Sequence, residues 1–193
     1  MVSTLKVDKI LDPRDGNQVI IPGHICQTVT GVLGTPLALS VSNKYSYATG
    51  IKATITPRTP NPTLIITAQI QFTSSGFNCG YVLYDNTASA EILYNANSTG
   101  EWDGTSNRKK FTSGGIGSYG FNTNGTADDE YGNSSRTAVG IYTPPNNSAR
   151  EIEVRMCAIN NAGTIYVGRN VSATNAEYDS YSHCAIIIQE IAG

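Results

Sequence analysis

The chain is predicted to be all-β, an antiparallel β-sandwich of jelly-roll type, and three observations predict this fold class. Gly, Pro or Asn interrupts every window in which apolar residues could follow a helical period. Strand-like alternation of apolar and polar residues recurs between turn residues. Charged residues are only 15% of the 193 residues, while Gly, Ser, Thr and Asn are abundant. Short strands without long helices are typical of sandwiches and jelly rolls.

The first half of the chain contains three clear strand patterns, at residues 25–32, 51–56 and 64–72. Residues 51–56 alternate strictly, and residues 64–72 alternate in their second half. Side chains on every second position of a strand share one face. The positions predicted to face the core are therefore Ile51, Ala53, Ile55, Ile66, Ala68, Ile70 and Phe72.

The second half adds a predicted hairpin and four more strands. Residues 81–84 and 91–94 flank the turn residues Asp85, Asn86 and Thr87. The later strands are predicted at residues 136–142, 150–159, 164–169 and 182–191. Residues 144–147 (Pro-Pro-Asn-Asn) predict a rigid corner, and residues 160–163 (Asn-Asn-Ala-Gly) predict a tight turn.

Residues 1–22 form a separate N-terminal segment with a strand-turn-strand pattern, followed by a hinge at Pro22-Gly23 and the sandwich domain at residues 23–193. An isolated hairpin is marginal in water, so this segment must pack on its own domain, on copies of itself or on a partner. A plain strand pair of the same sandwich is the alternative. The apolar positions expected to be buried by this association are Leu5, Val7, Ile10, Leu11, Val19, Ile20 and Ile21.

Residues of about 98–135 are rich in Gly and Asn and predict long exposed loops. Loops of this length are usually functional or disordered, and interspersed aromatic residues argue against simple disorder. Aromatic faces on such loops are candidates for stacking on a glycan. The candidates are Trp102, Tyr119, Phe121 and Tyr131. Their alternative role is to anchor the loops or to fill a contact between subunits.

Charge and hydropathy exclude two classes of partner. A net charge of -2 argues against a nucleic-acid binder, which neutralises phosphates with clustered Lys and Arg. No apolar stretch approaches the ~20 residues that span a bilayer, which predicts no membrane insertion. The N-terminus lacks an apolar signal region, so we expect synthesis in a bacterial cytoplasm. The four cysteines, Cys26, Cys79, Cys157 and Cys184, are predicted to be buried free thiols.

Enzymatic and metal chemistry find little support in the sequence, so no catalytic residue, cofactor or metal is predicted. His183 and Cys184 are adjacent and would point to opposite faces of a strand, which separates base from nucleophile. The acidic run at residues 128–130 lacks the spacing of a calcium loop and predicts a solvated turn. Paired carboxylates, such as Glu101 with Asp103, leave a glycan-degrading spike as a distant alternative.

Three short motifs carry a family resemblance. They are Ser-Thr-Leu-Lys-Val-Asp at residues 3–8, Ala-Thr-Ile-Thr-Pro at residues 53–57 and Glu-Ile-Ala-Gly at residues 190–193. Together they resemble small fibre and spike proteins of tailed phages, especially phages of marine bacteria and cyanobacteria. The resemblance covers both ends and the first third of the chain.

The resemblance implies a virion structural protein, a homotrimeric tail fibre or spike located in the virion. Residues 1–22 would attach it to other virion proteins, and the Gly-rich loops would contact a glycan of the host surface. A capsid decoration or cement protein, which stabilises the head lattice, is the alternative of a different class. The shortness of the N-terminal segment favours a decoration protein or short spike, and the loop aromatics favour a receptor-binding tip.

Overall fold

The computed structural model describes residues 22–41, 46–74, 79–92, 134–158, 163–169 and 182–193, and within them all regular structure is β-strand. The strands are β1 (Ile25–Val32), β2 (Leu37–Val41), β3 (Ser46–Ile55), β4 (Thr63–Ser74), β5 (Cys79–Asp85), β6 (Ala90–Ile92), β7 (Ser134–Tyr142), β8 (Arg150–Ala158), β9 (Gly163–Val167) and β10 (Ala185–Ile191). Strands β1, β2, β4, β7, β9 and β10 form the larger sheet, and β3, β5, β6 and β8 form the smaller sheet.

The strand pairing is nested, which makes the sandwich a jelly roll. β1 pairs with β10, β3 with β8, β4 with β7 and β5 with β6, all antiparallel. The spatial order is β1-β10-β4-β7 in the larger sheet and β3-β8-β5-β6 in the smaller sheet. Eight strands folded back in this way form the two Greek keys of a jelly roll. The predicted fold class is confirmed.

The core lies between the sheets and follows the alternation in the sequence. The predicted inward positions of residues 51–56 and 64–72 are all buried, none with more than 7% of its surface exposed. Ile152, Val154 and Met156 of β8 and Ile186 and Ile188 of β10 are fully buried beside them. Burying each such side chain stabilises the fold by about 1.5–3 kcal/mol before ordering costs.

Two predicted connections are confirmed. β5 and β6 form a hairpin in which Leu83 lies opposite Ile92, with Ser89 at a positive φ of 54° in its turn. The corner at residues 144–147 carries the chain from β7 of the larger sheet to β8 of the smaller sheet, and Pro144 is buried there.

Two features differ from the sequence-based expectation. β2 was not predicted, and it pairs with β9 to extend the larger sheet beside the last residues of β4. The turn predicted at residues 160–163 was expected to join neighbouring strands, but β8 and β9 lie in different sheets. Residues 159–162 themselves lie outside the described residues.

One side of the sandwich is closed where β1 passes close to β3. A Cβ on Gly31 of β1 would collide with the backbone carbonyl of Lys52 in β3. The Gln27 side chain donates to the Thr56 carbonyl, 2.7 Å away, just beyond β3. The two sheets therefore curl toward each other along this side, and the sandwich depends on a glycine at position 31.

The cysteine prediction is correct for Cys184 and wrong for Cys26. Cys184 is a buried free thiol whose pKa is raised by burial, and its Sγ accepts a hydrogen bond from the Gln71 amide. Cys26 is a free thiol that is partly exposed, because it lies in the irregular register between Ile25 and Gln27 of β1. The side chains of Cys79 and Cys157 lie outside the described residues.

Candidate functional site

The two sets of predicted site residues lie outside the described residues. These are the attachment positions Leu5, Val7, Ile10, Leu11, Val19, Ile20 and Ile21, and the glycan-contact candidates Trp102, Tyr119, Phe121 and Tyr131. The structure shows instead where the segments that carry them join the sandwich. We call the end that contains Gly23 the proximal end and the opposite end the distal end.

At the proximal end the first described residues pair with the C-terminus. The Gly23 amide donates to the Ala192 carbonyl at 2.8 Å, and the Ala192 amide donates to the His24 carbonyl at 2.9 Å. Gly23 has a φ of 82°, a conformation that favours glycine. A Cβ on Gly193 would collide with the Asn61 carbonyl in the connection between β3 and β4. Residues 23–24, 61 and 192–193 are therefore packed together.

Glu190 is the central side chain of this end, and it is completely buried. Its Oε1 accepts from the amides of Arg58 and Thr59, at 2.9 and 2.8 Å, and from the Thr59 hydroxyl at 2.8 Å. Its Oε2 accepts from the Gln27 amide group at 2.6 Å. Burial disfavours the charged form, but these hydrogen bonds outweigh burial and hold the pKa of Glu190 below its ordinary value.

The Glu190 contacts bring two of the sequence motifs together. The motif at residues 53–57 ends β3 and leads directly into the Arg58 and Thr59 amides, while the motif at residues 190–193 supplies the carboxylate that binds them. The sequence alone does not assign this role to Glu190. The signal was present, because Glu190 falls on the inward register of Ile186 and Ile188.

A second polar cluster fastens the neighbouring connections of the proximal end. The fully buried Asp85 accepts the amides of Thr87 and Ala88 on Oδ1 at 2.9 Å, and the Tyr142 hydroxyl on Oδ2 at 2.7 Å. Arg150, 3% exposed, lies 3.5 Å from the same oxygen. Burial, followed by the hydrogen bond to Asp85, raises the pKa of Tyr142. Both buried carboxylates of this end are saturated with donors, which is a structural role.

The Gly- and Asn-rich region leaves the sandwich at Ile92, which lies opposite Leu83 near the proximal end, and re-enters it at the distal end. It connects Ile92, the last residue of β6, to Ser134, the first residue of β7. Ser134 lies opposite Phe72, near the distal end of β4, whereas Thr63 at the start of β4 lies opposite Ile191 at the proximal end. β4 has 12 residues and is therefore about 40 Å long. The chain therefore enters the sandwich from the predicted attachment segment at the proximal end and returns from the predicted loops at the distal end.

The outer faces of the two sheets differ in charge. On the smaller sheet, Lys52 pairs with Glu151 at 2.9 Å, and the guanidinium of Arg155 lies 3.5 Å from the centre of the Tyr84 ring. Asn86 donates to both Glu151 and Glu153. The larger sheet instead exposes apolar side chains on its outer face: Val139, Ile141 and Ile187.

Two further observations apply to the described part of the chain alone. There, no three His, Cys, Asp or Glu side chains converge as they would to bind a metal ion. The same residues contain no helix that is long and apolar enough to cross a membrane. His183 is exposed and Cys184 is buried, so the two side chains point to opposite sides, as the sequence predicted.

Comparisons with known proteins give limited similarity. No protein-family model and no curated protein matches the chain. Among solved structures, that of the Gt strain of infectious bursal disease virus has a TM-score of 0.38 and 10% identity over 100% of this chain and 43% of that chain. A mutant VP2 protein of the same virus, in derived T=1 particles, has a TM-score of 0.33 and 12% identity over 99% of this chain. The chain spans about two fifths of these longer chains, 43% and 41% respectively.

Proposed function

We propose that the chain is a structural protein of a phage particle, a homotrimeric tail fibre or spike that projects from the virion. Residues 1–22 attach it to other virion proteins, and the region of about 98–135 contacts a glycan of the host surface. This function requires association and no catalytic step.

The observation that carries the proposal is that the chain enters the sandwich from the predicted attachment segment at one end and from the Gly-rich region at the other. A projecting protein must separate the surface that attaches from the surface that meets the host. Here the N-terminal segment joins at the proximal end, by Gly23, and the chain returns from the Gly-rich region at the distal end, by Ser134. The motif resemblance to phage fibre and spike proteins supports the same orientation.

The packing of the proximal end supports an attachment role. Glu190, Asp85 and the paired backbone of Gly23 and Ala192 hold residues 23–24, residues 190–193 and the neighbouring connections in one arrangement. A rigid base preserves the direction in which an attached segment leaves the domain. Three attached copies would also raise one another's effective concentration at the particle, which turns weak single contacts into durable ones.

A capsid decoration protein is the second candidate. The exposed apolar side chains of the larger sheet, Val139, Ile141 and Ile187, favour it, because proteins on a head lattice pack against neighbours sideways. Cryo-electron microscopy of intact particles distinguishes the two candidates. Density on the tail with the distal end outward supports the spike, and density on the capsid lattice supports the decoration protein.

The attachment role is tested with the full-length double variant Leu5→Asp and Val7→Asp. We expect the variant to fold normally and to be lost from purified particles, because charged side chains cannot be buried without a partner. The control is Thr54→Asp, an exposed position of β3 in the sandwich. Incorporation of the double variant at the wild-type level would contradict attachment through residues 1–22.

A further inference from the structure

The outer face of the larger sheet contains twelve neighbouring positions that are all uncharged. They lie in three cross-strand rows contributed in order by β7, β4, β10 and β1, and we call them the charge-free face. The rows are Ile141, Ile65, Gln189 and Thr28; Val139, Thr67, Ile187 and Thr30; and Thr137, Gln69, Ala185 and Val32.

The composition of the charge-free face is unusual for a surface that meets water. Apart from Gln69, Ala185 and Gln189, every position is Ile, Val or Thr, so β-branched side chains cover most of it. The rows continue without charge at the proximal side, where Thr63, Ile191 and Ile25 lie next to one another. A sheet face that meets water normally carries polar and charged side chains.

Exposure confirms that this face is open in the single chain. Within the described residues, the exposed large hydrophobic side chains all lie on it or on its proximal border. Their exposed fractions are 55% for Ile25, 62% for Val32, 46% for Val139, 56% for Ile141 and 41% for Ile187. An exposed apolar patch on an otherwise polar domain marks an interaction surface.

The chemistry of the face identifies its partner. A partner rich in charge would lose hydration here and find no opposite charge in return. A second copy of the same face brings only Ile, Val, Thr, Ala and Gln side chains, so like charges never meet. Two such sheet faces can interdigitate at about 10 Å, as the sheets of a sandwich do.

The size of the face agrees with the apolar centre of an interface. Four strands at about 4.8 Å and three rows at about 6.8 Å cover roughly 400 Å². A stable interface buries about 800 Å² on each partner, with an apolar core and a polar rim. The charge-free face supplies that core, and the border row with the flanking strands supplies the rim.

We propose that the charge-free face is the surface through which copies of this chain associate, sheet face toward sheet face. The inference rests on the proposed function and deepens it, because it names the contact that holds the homo-oligomer together. The charged outer face of the smaller sheet then remains in water, where Lys52, Glu151 and Arg155 are solvated.

The test compares the mass in solution of the full-length protein and of lysine variants, measured by light scattering after gel filtration. We expect a mass that is a multiple of 20.6 kDa for the wild type and a monomer for Ile187→Lys. Thr30→Lys and Thr54→Lys form a matched pair, since both threonines are exposed in strands, the first on the charge-free face and the second on the smaller sheet. Of this pair, Thr30→Lys alone should shift the protein toward monomer.

Circular dichroism and a thermal melt of each variant show whether it remains folded, and Thr30→Lys at the sheet edge serves if Ile187→Lys does not fold. A monomeric wild type at high concentration, or equal masses for all four proteins, would overturn the inference. A wild-type mass that resists both lysines while particle incorporation is lost would also overturn it, because the partner would then be another virion protein. A dimer that the lysines dissociate would support this interface and contradict the trimer of the proposed function.

Discussion

The Glu190 carboxylate connects β10 to the connection after β3, and its removal leaves buried donors without an acceptor. The amides of Arg58 and Thr59 and the Thr59 hydroxyl all donate to it. We expect Glu190→Ala to lower the free energy of unfolding by about 2–3 kcal/mol, because a hydrogen bond to a charged group is lost from a buried site. Urea unfolding monitored by circular dichroism measures this change.

Glu151→Ala is the matched control for this substitution. Glu151 forms a surface ion pair with Lys52, and exposed pairs contribute about 0–1 kcal/mol. If the two alanine variants unfold at the same urea concentration, Glu190 does not hold the proximal end together.

The lowered pKa of Glu190 also gives stability a pH dependence of definite sign. The unfolded chain has the ordinary glutamate pKa of 4.5, and the folded pKa is lower. The stabilisation is therefore complete above pH 4.5 and is lost as the pH falls through the folded pKa. We expect Glu190→Gln to lose less stability than the wild type between about pH 7 and about pH 3, measured by urea unfolding at each pH. Equal losses of stability in the two proteins over this pH range would contradict the lowered pKa of Glu190.

Gly31 is a residue whose side chain cannot be enlarged, since the Lys52 carbonyl occupies the space of its Cβ. We expect Gly31→Ala to destabilise the domain by about 1–3 kcal/mol or more, because the strands β1 and β3 must separate. Gly34→Ala is the control, because no atom lies within 4 Å of the position of its Cβ. A thermal melt in which both variants match the wild type would show that the closed side of the sandwich tolerates separation.

At the scale of elements, β10 shows how one strand serves two surfaces. Ile188 is fully buried, while its neighbour Ile187 is 41% exposed on the charge-free face. We expect Ile188→Ala to cost about 2–5 kcal/mol of stability, since it leaves a cavity, and Ile187→Ala to cost much less. Chemical denaturation of the two variants, at a concentration where both are monomeric, measures the difference. Equal losses would mean that the strand register is shifted by one residue.

The elements also show what a sequence can and cannot reveal. Alternation located β3 and β4, because each has one buried face and a period of two residues. β2 was missed although Leu37, Leu39 and Val41 alternate, since five residues after a proline give little pattern. The crossing of the chain from β8 to β9 was missed because Asn and Gly in a turn do not reveal whether the next strand joins the same sheet.

The candidate site was less predictable than the fold. Inward register alone could have identified Glu190, but its donors Arg58 and Thr59 lie more than 130 residues away in sequence. The charge-free face could be recognised only after the registers of β7, β4, β10 and β1 were known. Both features depend on pairing between distant strands, which composition and spacing do not encode.

At the scale of the whole molecule, the difference between the proximal and distal ends predicts which parts are accessible on a particle. We expect an epitope inserted between Gly114 and Gly115 to bind antibody on intact virions, because the chain returns from this region to the sandwich at the distal end. The same epitope fused to Met1 should bind antibody on the free protein and be hidden on virions. Immunogold labelling measures both. Labelling of the Met1 epitope on intact particles, with none at the inserted one, would reverse the proposed orientation.

The entry of the chain at the proximal end has a mechanical consequence. β1 runs from Ile25 toward the distal end and is hydrogen-bonded along its length to β10, which runs in the opposite direction. Ladder hydrogen bonds lie perpendicular to the strands, so tension applied to the N-terminus along the strand axis loads these bonds in shear. All the bonds between β1 and β10 then resist together instead of opening one by one. A domain tethered in this way withstands drag on its distal end far better than one peeled from an edge.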